Sequence, residues 1–465
     1  MTDFEKITIE NLGEESIKTA RRPKFEPTNE NLILPQQIQP NKNSCCKCNK
    51  KSGRCKKIRQ YDVGTTGYII SKPGNYCLVE DILFTPTDVE NPAILILASN
   101  VHLNLNNRDI KGNGARLGIV VTNINVTEHY SNITITNGSI SNFYVWSIQA
   151  ANNGRIDNLN INNINITSQN IPKVINDVVG GIWLDHVRNV IMNKLNFLLS
   201  FQYGYAFTQA IRSRNTSYIT IEDTNIRGVN PSSTDITGST LSTGISINFG
   251  YSTIIRNTNV SAIVANAISK NAYGIRCDGA YGLNLENCNV QGIINFKEID
   301  SSATGIYISG IFGAIVKDCS VCNLESGGSG DSTGFYCGGE TVQYSGCSAS
   351  VIDSISGNAV GFNLVRFFEE YDGANMIWDN CASQQCHSLN SIGTGFGIFQ
   401  QASATLKNSI SSNNSHYGIL VRPTASSIPS SKAIVFKNNV LSNNGVQSIV
   451  DETKKNVYIG NDSVN

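Results

Sequence analysis

The chain of 465 residues carries 36 Lys and Arg against 36 Asp and Glu, a formal net charge of +0, and only 15% of its residues are charged. A zero balance gives no whole-chain field for nucleic acid or acidic substrates, so no nucleic-acid partner is expected. No run of about 18 apolar residues occurs, which argues against a transmembrane helix. The opening residues, MTDFEKITIENLGEE, also lack the apolar stretch of a secretory signal peptide, so an intracellular or virion-associated protein is expected.

Residues 1–60 stand apart in composition. They hold 13 Lys and Arg against 7 Asp and Glu, which puts them near +6 and the rest of the chain near −6. RRPKFEP and LPQQIQPNKN, with Pro23, Pro27, Pro35 and Pro40, read as extended, disordered chain. No acidic residue lies between Asn31 and Tyr61, and within that stretch sits CCKCNKKSGRCKK. Its thiols, Cys45, Cys46, Cys48 and Cys55, are enough to hold a zinc ion, although the spacing lacks paired C-x2-C knuckles. Neighbouring lysines lower a thiol's pKa, which instead favours intermolecular disulfides or acylation. A solvated basic arm is the third reading, and the sequence leaves the three open. Self-association or attachment through this segment is expected, with folding independent of it.

From residue 61 onward a repeat takes over. The pattern apolar-x-apolar-x-[Asn/Asp] reads LNLNN ending at Asn107, ITITN at Asn137, GRIDN at Asn158 and ITIED at Asp223. It continues as TIIRN at Asn257, LNLEN at Asn287, AIVKD at Asp318, MIWDN at Asn380, TLKN at Asn408 and IVFKN at Asn438. VIMNK at Lys194 and VQYSG at Gly346 are weaker copies, and the spacing runs from 21 to 36 residues. Between these copies runs a second motif: GIVV at Gly118, GIWL at Gly181, GISI at Gly244, GIRC at Gly274, GIYI at Gly305, GFYC at Gly334, GFNL at Gly361, GFGI at Gly395 and GILV at Gly418. Both motifs alternate with period two, so each repeat holds at least two short strands. No helical stretch recurs between them, which argues against βαβ folds. The expected architecture is all-β: a right-handed parallel β-helix, a solenoid of about 12 rungs and roughly 50–60 Å over residues 61–465. The Asn/Asp column marks a repeated sharp bend, since these side chains tolerate left-handed backbone.

The cysteines share this register. Cys288, Cys319, Cys347 and Cys381 follow the Asn/Asp column directly, where Thr224 and Thr258 stand in the two preceding copies. Cys277 and Cys337 occupy the last position of the G-I-x-I motif. All six are expected inside the coil as small reduced hydrophobes.

The stretches YIISKPGNYCLVEDI, ILILASNVHLNLNNRDIKGNGARLGIVV and SNITITNGSISNF resemble the opening rungs of right-handed parallel β-helix repeat proteins of the pectin-lyase-like superfamily. The resemblance covers roughly residues 61–460 and implies the fold. It implies no single function, because this fold carries lyases, hydrolases, epimerases, phage tailspikes and structural rods. The Asn- and Ile-rich composition also resembles that of giant DNA virus proteins.

Chemistry is harder to find. The G-H-G and R-I-K motifs of polygalacturonase-like hydrolases do not occur, and the histidines (His102, His129, His186, His387 and His416) are scattered. Acids just after the G-I-x-I motif are Asp185 and Asp278, about three rungs or 14 Å apart, more than the roughly 5–10 Å of glycosidase pairs. Asp185 and His186, beside Trp183 and Arg188, form the one mixed acid, base and aromatic cluster. Asp185, His186 and Asp278 are therefore the catalytic candidates. Asp177, Asp235, Asp300 and Asp331 lie in loops entering the same strand. The late loop FFEEYDGANM sets Glu369, Glu370, Tyr371 and Asp372 beside Phe367 and Phe368. With Trp183 these four are the glycan-binding candidates, because acids beside aromatics suit sugars. No cofactor is called for. The expected function is a non-catalytic rod, structural or glycan-binding and associated with a virion or surface; the alternative is a polysaccharide lyase or glycoside hydrolase.

Overall fold

In the computed structural model, residues 55–122, 128–168, 178–201, 207–231, 241–265, 271–295, 302–339, 341–365, 375–399, 403–422, 434–451 and 456–464 are described, and all that follows concerns these. Internal contacts divide the chain into Met1–Gly53 and Arg54–Asn465, and the described residues belong to the second unit.

Each turn of the chain lays down three strands. A middle turn shows the plan: Ala272–Asp278 in sheet A, Tyr281–Glu286 in sheet B and Asn289–Asn295 in sheet C. Each pairs in parallel with its counterpart one turn on, Ala303–Ser309, Phe312–Lys317 and Ser320–Ser326. The G-I-x-I motif forms sheet A, and apolar-x-apolar-x-Asn forms sheet B and its exit. This is a parallel β-helix, as expected. Among the described residues, sheet B runs through fourteen successive pairings, from Lys56–Ile58 to Val457–Ile459, and so counts fifteen strands. At about 4.8 Å per step the stack is roughly 65–70 Å tall. The additional strands come from both ends, where the sequence motif has faded. Lys56–Ile58 falls within the stretch read as tail, yet it pairs with Tyr76–Leu78. Cys55 is disulfide-bonded to Cys77, with Cα atoms 5.9 Å apart, within the ordinary range for such a bond.

The bends have the cause that the sequence suggested. Asn137, Asn163, Lys194, Asp223, Asn257, Asn287, Asp318, Asn380, Asn408 and Asn438 leave sheet B with φ between 50° and 59°. One assignment shifts. Leu159–Asn162, not GRIDN, aligns with Ile133–Thr136, so Asn163 makes that bend. Asn158 belongs to a second left-handed column with Asn100, Asn132 and Asn189, between sheets A and B. Asn and Asp sit in left-handed backbone at lower cost than other non-Gly residues. Their side chains also bond from turn to turn. Asn132 donates to Asn100 at 2.9 Å, Asn158 to Asn132 at 2.9 Å, and Asn189 to Asn158 at 3.0 Å.

The core is a set of vertical columns. Sheet A contributes Ile245, Ile275, Ile306, Phe335, Phe362 and Phe396 in register. The three phenylalanines stack at 4.6 and 5.0 Å. Sheet B contributes Ile255, Leu285, Val316, Tyr344 and Trp378, all buried. Cys277, Cys288, Cys319, Cys337, Cys347 and Cys381 are buried and free, as their register predicts. The Cys319 thiol donates to the Lys317 carbonyl oxygen at 3.3 Å, and the flanking Cys288 and Cys347 thiols, followed by burial, push its pKa up.

Candidate functional site: the outer face of sheet A

The glycine of each sheet A strand sets the geometry. At Gly274 an added Cβ would meet the buried Val290 side chain at 2.3 Å and the Gly305 carbonyl oxygen at 2.7 Å. This position therefore faces the core and admits no side chain. Ile275 also points inward, so the outward residues are Tyr273 and Arg276, three apart rather than two. The same offset on every turn builds two outer columns. One runs Trp146, Gly180, Gln209, Thr243, Tyr273, Thr304, Thr333, Val360 and Thr394. The other runs Gln149, Trp183, Arg212, Ser246, Arg276, Tyr307, Tyr336 and Asn363 through the same pairings. The strand ends add Asp185, Arg214, Asn248, Asp278 and Ser309.

The upper part of this face is aromatic. Tyr307 stacks on Tyr336 at 4.6 Å and meets Tyr273 edge-on at 5.2 Å. The Arg276 guanidinium lies 5.0 Å from the Tyr273 ring and 5.6 Å from Tyr307, and its Nε donates to Asp278. Burial pushes the Tyr307 phenol up to about 12. Burial also raises the Asp278 carboxyl, and the Arg276 charge offsets only part of the rise. Asn271 donates to the Tyr273 hydroxyl at 2.7 Å.

The lower part is ionic. Asp185 is buried and accepts from Arg214 Nη2 at 2.8 Å, with His186 Nδ1 at 3.0 Å. Trp183 lies one turn from Arg212 in register and packs against Trp146 at 5.8 Å. Among the charged groups of this face, Arg212 is the one with neither an ion pair nor a hydrogen bond; its Nε is buried and unpartnered. Burial and then the neighbouring Arg214 charge lower its pKa, and Asp185 offsets part of that.

Six buried polar atoms on this face have no hydrogen-bond partner: Trp183 Nε1, Gln209 Oε1, Arg212 Nε, Thr243 Oγ1, Asn363 Oδ1 and Thr394 Oγ1. Buried polar groups in native proteins are nearly always satisfied by protein, water or ligand.

The sequence candidates fall out unevenly. Trp183, Asp185, His186 and Asp278 all lie on this sheet or its exit. Asp185 and Asp278 are separated by three register steps, through Arg214 and Asn248, or about 14 Å. Each carboxylate is held by an arginine. They form no acid–base pair. Asp331 is engaged at the turn, accepting from Asn358 N at 2.7 Å. Glu369, Glu370, Tyr371 and Asp372 lie outside the described residues, as do Asp177, Asp235, Asp300, Cys45, Cys46 and Cys48. Cys55, the fourth of the proposed zinc thiols, is bonded to Cys77. Among the described residues no group of three or more metal-ligating side chains gathers, and no helix is long and apolar enough to cross a membrane. Sequence reasoning missed Arg212, Tyr273, Arg276, Tyr307 and Tyr336. Three of these occupied the variable position of GIRC, GIYI and GFYC, which was read for its flanking apolar residues. Arg212 was hidden because Ala210 replaces the motif glycine in that turn.

No family profile matches the chain, and no curated protein matches it. Solved structures do. The A-module of a mannuronan C-5 epimerase from Azotobacter vinelandii is 12% identical over 87% of this chain and 99% of that one, with a TM-score of 0.44. The catalytic domain of an alpha-1,3-glucanase, in complex with nigerose, is 13% identical over 85% of this chain and 64% of that one, with a TM-score of 0.35. A Streptococcus pneumoniae surface protein and adhesin is 10% identical over 87% and 93%, with a TM-score of 0.29. These similarities are too low to transfer a substrate or a residue role.

Proposed function

We propose that this protein is a carbohydrate-binding β-helix whose glycan lies along the outer face of sheet A, and that it binds without cleaving. The observation that carries this is the aromatic outer column of sheet A, in which Trp183, Tyr307 and Tyr336 stand in register and Tyr273 meets Tyr307 edge-on. Sugars offer C–H faces to such rings. The rungs repeat at about 4.8 Å, so a linear polymer would meet similar groups at regular intervals. Binding without turnover is favoured because Asp185 and Asp278 are both ion-paired and too far apart for glycosidase chemistry. In this reading the basic residues 1–53, with Cys45, Cys46 and Cys48, attach the rod to a virion or surface layer, or to other copies. A glycan array probed with the full chain and with Trp183→Ala tests the proposal. Selective binding that drops about fivefold or more in the variant supports it, since aromatic stacking is worth about 1 kcal/mol or more. A blank array on the folded protein refutes it.

A second reading keeps one observation of its own. The raised Asp278 carboxyl, set against Tyr273 and Tyr307, suits a proton donor in a lyase or hydrolase. A reducing-sugar and unsaturated-product screen comparing wild type with Asp278→Asn decides between the two. Turnover abolished by the substitution would replace the non-catalytic reading.

A further inference from the structure

We infer that the outer face of sheet B is a docking surface for a second copy of this chain, the two rods lying antiparallel about a two-fold axis. Over four successive turns this face carries three outward columns. Ser217, Tyr251, Tyr281 and Phe312 form the first, Thr220, Ile254, Asn284 and Ile315 the second, and Glu222, Arg256, Glu286 and Lys317 the third. In each of these turns two residues join sheet A to sheet B and two join sheet B to sheet C, so the face has low rims. Tyr251, Tyr281, Phe312 and Ile315 are 36–51% exposed. Exposed apolar side chains gathered in one patch, unlike scattered ones, mark an interaction surface. The three rings stack at 5.1 and 4.9 Å, which orders them before anything binds, but their faces cover one another. A sugar stacks on a ring face, whereas protein side chains pack against ring edges.

The third column says which protein. It reads minus, plus, minus, plus, with Arg256 ion-paired to Glu222 at 2.9 Å and Lys317 to Glu286 at 3.5 Å. All four side chains keep exposed surface, so each can meet a second opposite charge. A two-fold axis along the strands, midway between Arg256 and Glu286, inverts the order of the turns in the second copy. Arg256 then faces the second copy's Glu286, and Glu222 faces its Lys317. A two-fold contact is self-complementary in this way, each pairing occurring twice. The same axis sets Asn193 against Ser345, Asn162 against Asp379, Thr136 against Lys407 and Asn104 against Lys437, so no like charges meet along the column. Rods packed parallel would instead set each charged column against the other copy's aromatic one. Twelve rungs at about 4.8 Å, with strands about 17 Å long, offer roughly 900 Å² per copy, where a standard interface takes about 800 Å². Glycan binding on sheet A is independent of this contact, and a dimer would present that face twice.

The test is analytical ultracentrifugation of the full-length protein at micromolar concentrations, as wild type, as Arg256→Glu, as Glu286→Arg and as an equal mixture of the two variants. Each variant is first shown to melt like wild type. Wild type should equilibrate between monomer and dimer, with the dimer weakened by salt. Either substitution sets like charges against each other twice across the axis and should weaken the dimer about tenfold or more. The mixture should dimerise again, because the two variants together restore both opposite-charge pairs. If either variant melts early, Glu222→Lys and Lys317→Glu repeat the exchange at the second pair. A chain that stays monomeric throughout overturns the docking surface. A dimer that neither substitution weakens overturns it as well, and a non-reducing gel then shows whether disulfides through residues 1–53 hold the copies together. A dimer lost in both variants and not regained on mixing overturns the antiparallel two-fold arrangement.

Discussion

Leu285 offers the sharpest test of the inward columns. It is fully buried and stands in register between Ile255 and Val316. Leu285→Ala removes most of a packed side chain and should cost about 2–5 kcal/mol. Leu285→Asp adds a carboxylate with no partner. Burial holds that carboxyl protonated, so its folded pKa lies above the unfolded value of about 3.9. The penalty is then smallest below the unfolded pKa and grows by about 1.4 kcal/mol per pH unit until the folded pKa is reached. Against a total stability of about 5–15 kcal/mol, Leu285→Asp should fail to fold at pH 7 and recover partly near pH 4. Asn284, one residue away, pairs with Ile254 and Ile315 and is partly exposed. Asn284→Asp should therefore change stability by no more than about 0.5 kcal/mol. Urea midpoints by circular dichroism at both pH values give all the comparisons. If Leu285→Asp melts like wild type at pH 7, or Asn284→Asp costs as much, the inward assignment of this column is wrong.

Deleting residues 1–53 should leave the melting temperature nearly unchanged, whereas deleting 1–60 should lower it, because the larger cut removes strand Lys56–Ile58 and the Cys55–Cys77 bond, itself worth about 2–4 kcal/mol; equal melting of the two truncations would show that the first rung is dispensable. Native alkylation at pH 8 should spare Cys277, Cys288, Cys319, Cys337, Cys347 and Cys381, since all six are buried and burial pushes the Cys337 thiol up to about 11; mass spectrometry finding rapid labelling without denaturant would contradict the packing. Burial raises the Asp331 carboxyl, with hydrogen bonds from Asn358 opposing the shift. A raised folded pKa means that its contribution is present below the unfolded value and lost as pH rises through the folded one. Relative to wild type, Asp331→Asn should therefore gain stability as pH rises above the unfolded carboxyl value of about 3.9, and a urea-midpoint difference independent of pH would refute this.

The fold was legible because its cause is local and repeated. Left-handed bends call for Asn, Asp or Gly, and core columns call for apolar residues at fixed offsets, so Asn257, Asn287 and Ile255, Leu285, Val316 announce themselves in every turn. Where a turn breaks the rule the reading slipped: GRIDN imitated the motif ending at Asn158, while the true strand, Leu159–Asn162, followed it. The first strand, Lys56–Ile58, was missed because three residues in a basic context carry no periodicity. The site was far less legible. Its residues occupy outward positions that the fold leaves unconstrained, and their meaning depends on which turn lies above or below. Arg212 beside Trp183 is separated by 29 positions in sequence and by one strand in space. The unpaired state of Arg212 exists only once its neighbours have chosen their own partners.

The asparagine ladder also has a direction. Every link between Asn100 and Asn189 runs from an Nδ2 to the Oδ1 of the preceding turn, and Asn287 to Asn257 at 3.0 Å and Asn257 to Asp223 at 3.1 Å follow the same sense. Deamidation, the slow ageing reaction of asparagine, would therefore act unequally on its two neighbours. Converting Asn158 to aspartate removes the donor toward Asn132 but leaves an acceptor for Asn189, so one link breaks and the other persists. At Asn257 the same change would set a new carboxylate directly over that of Asp223. There the broken link becomes a repulsion, about one strand spacing long. At such a bend one lost amide turns an attraction between turns into its opposite.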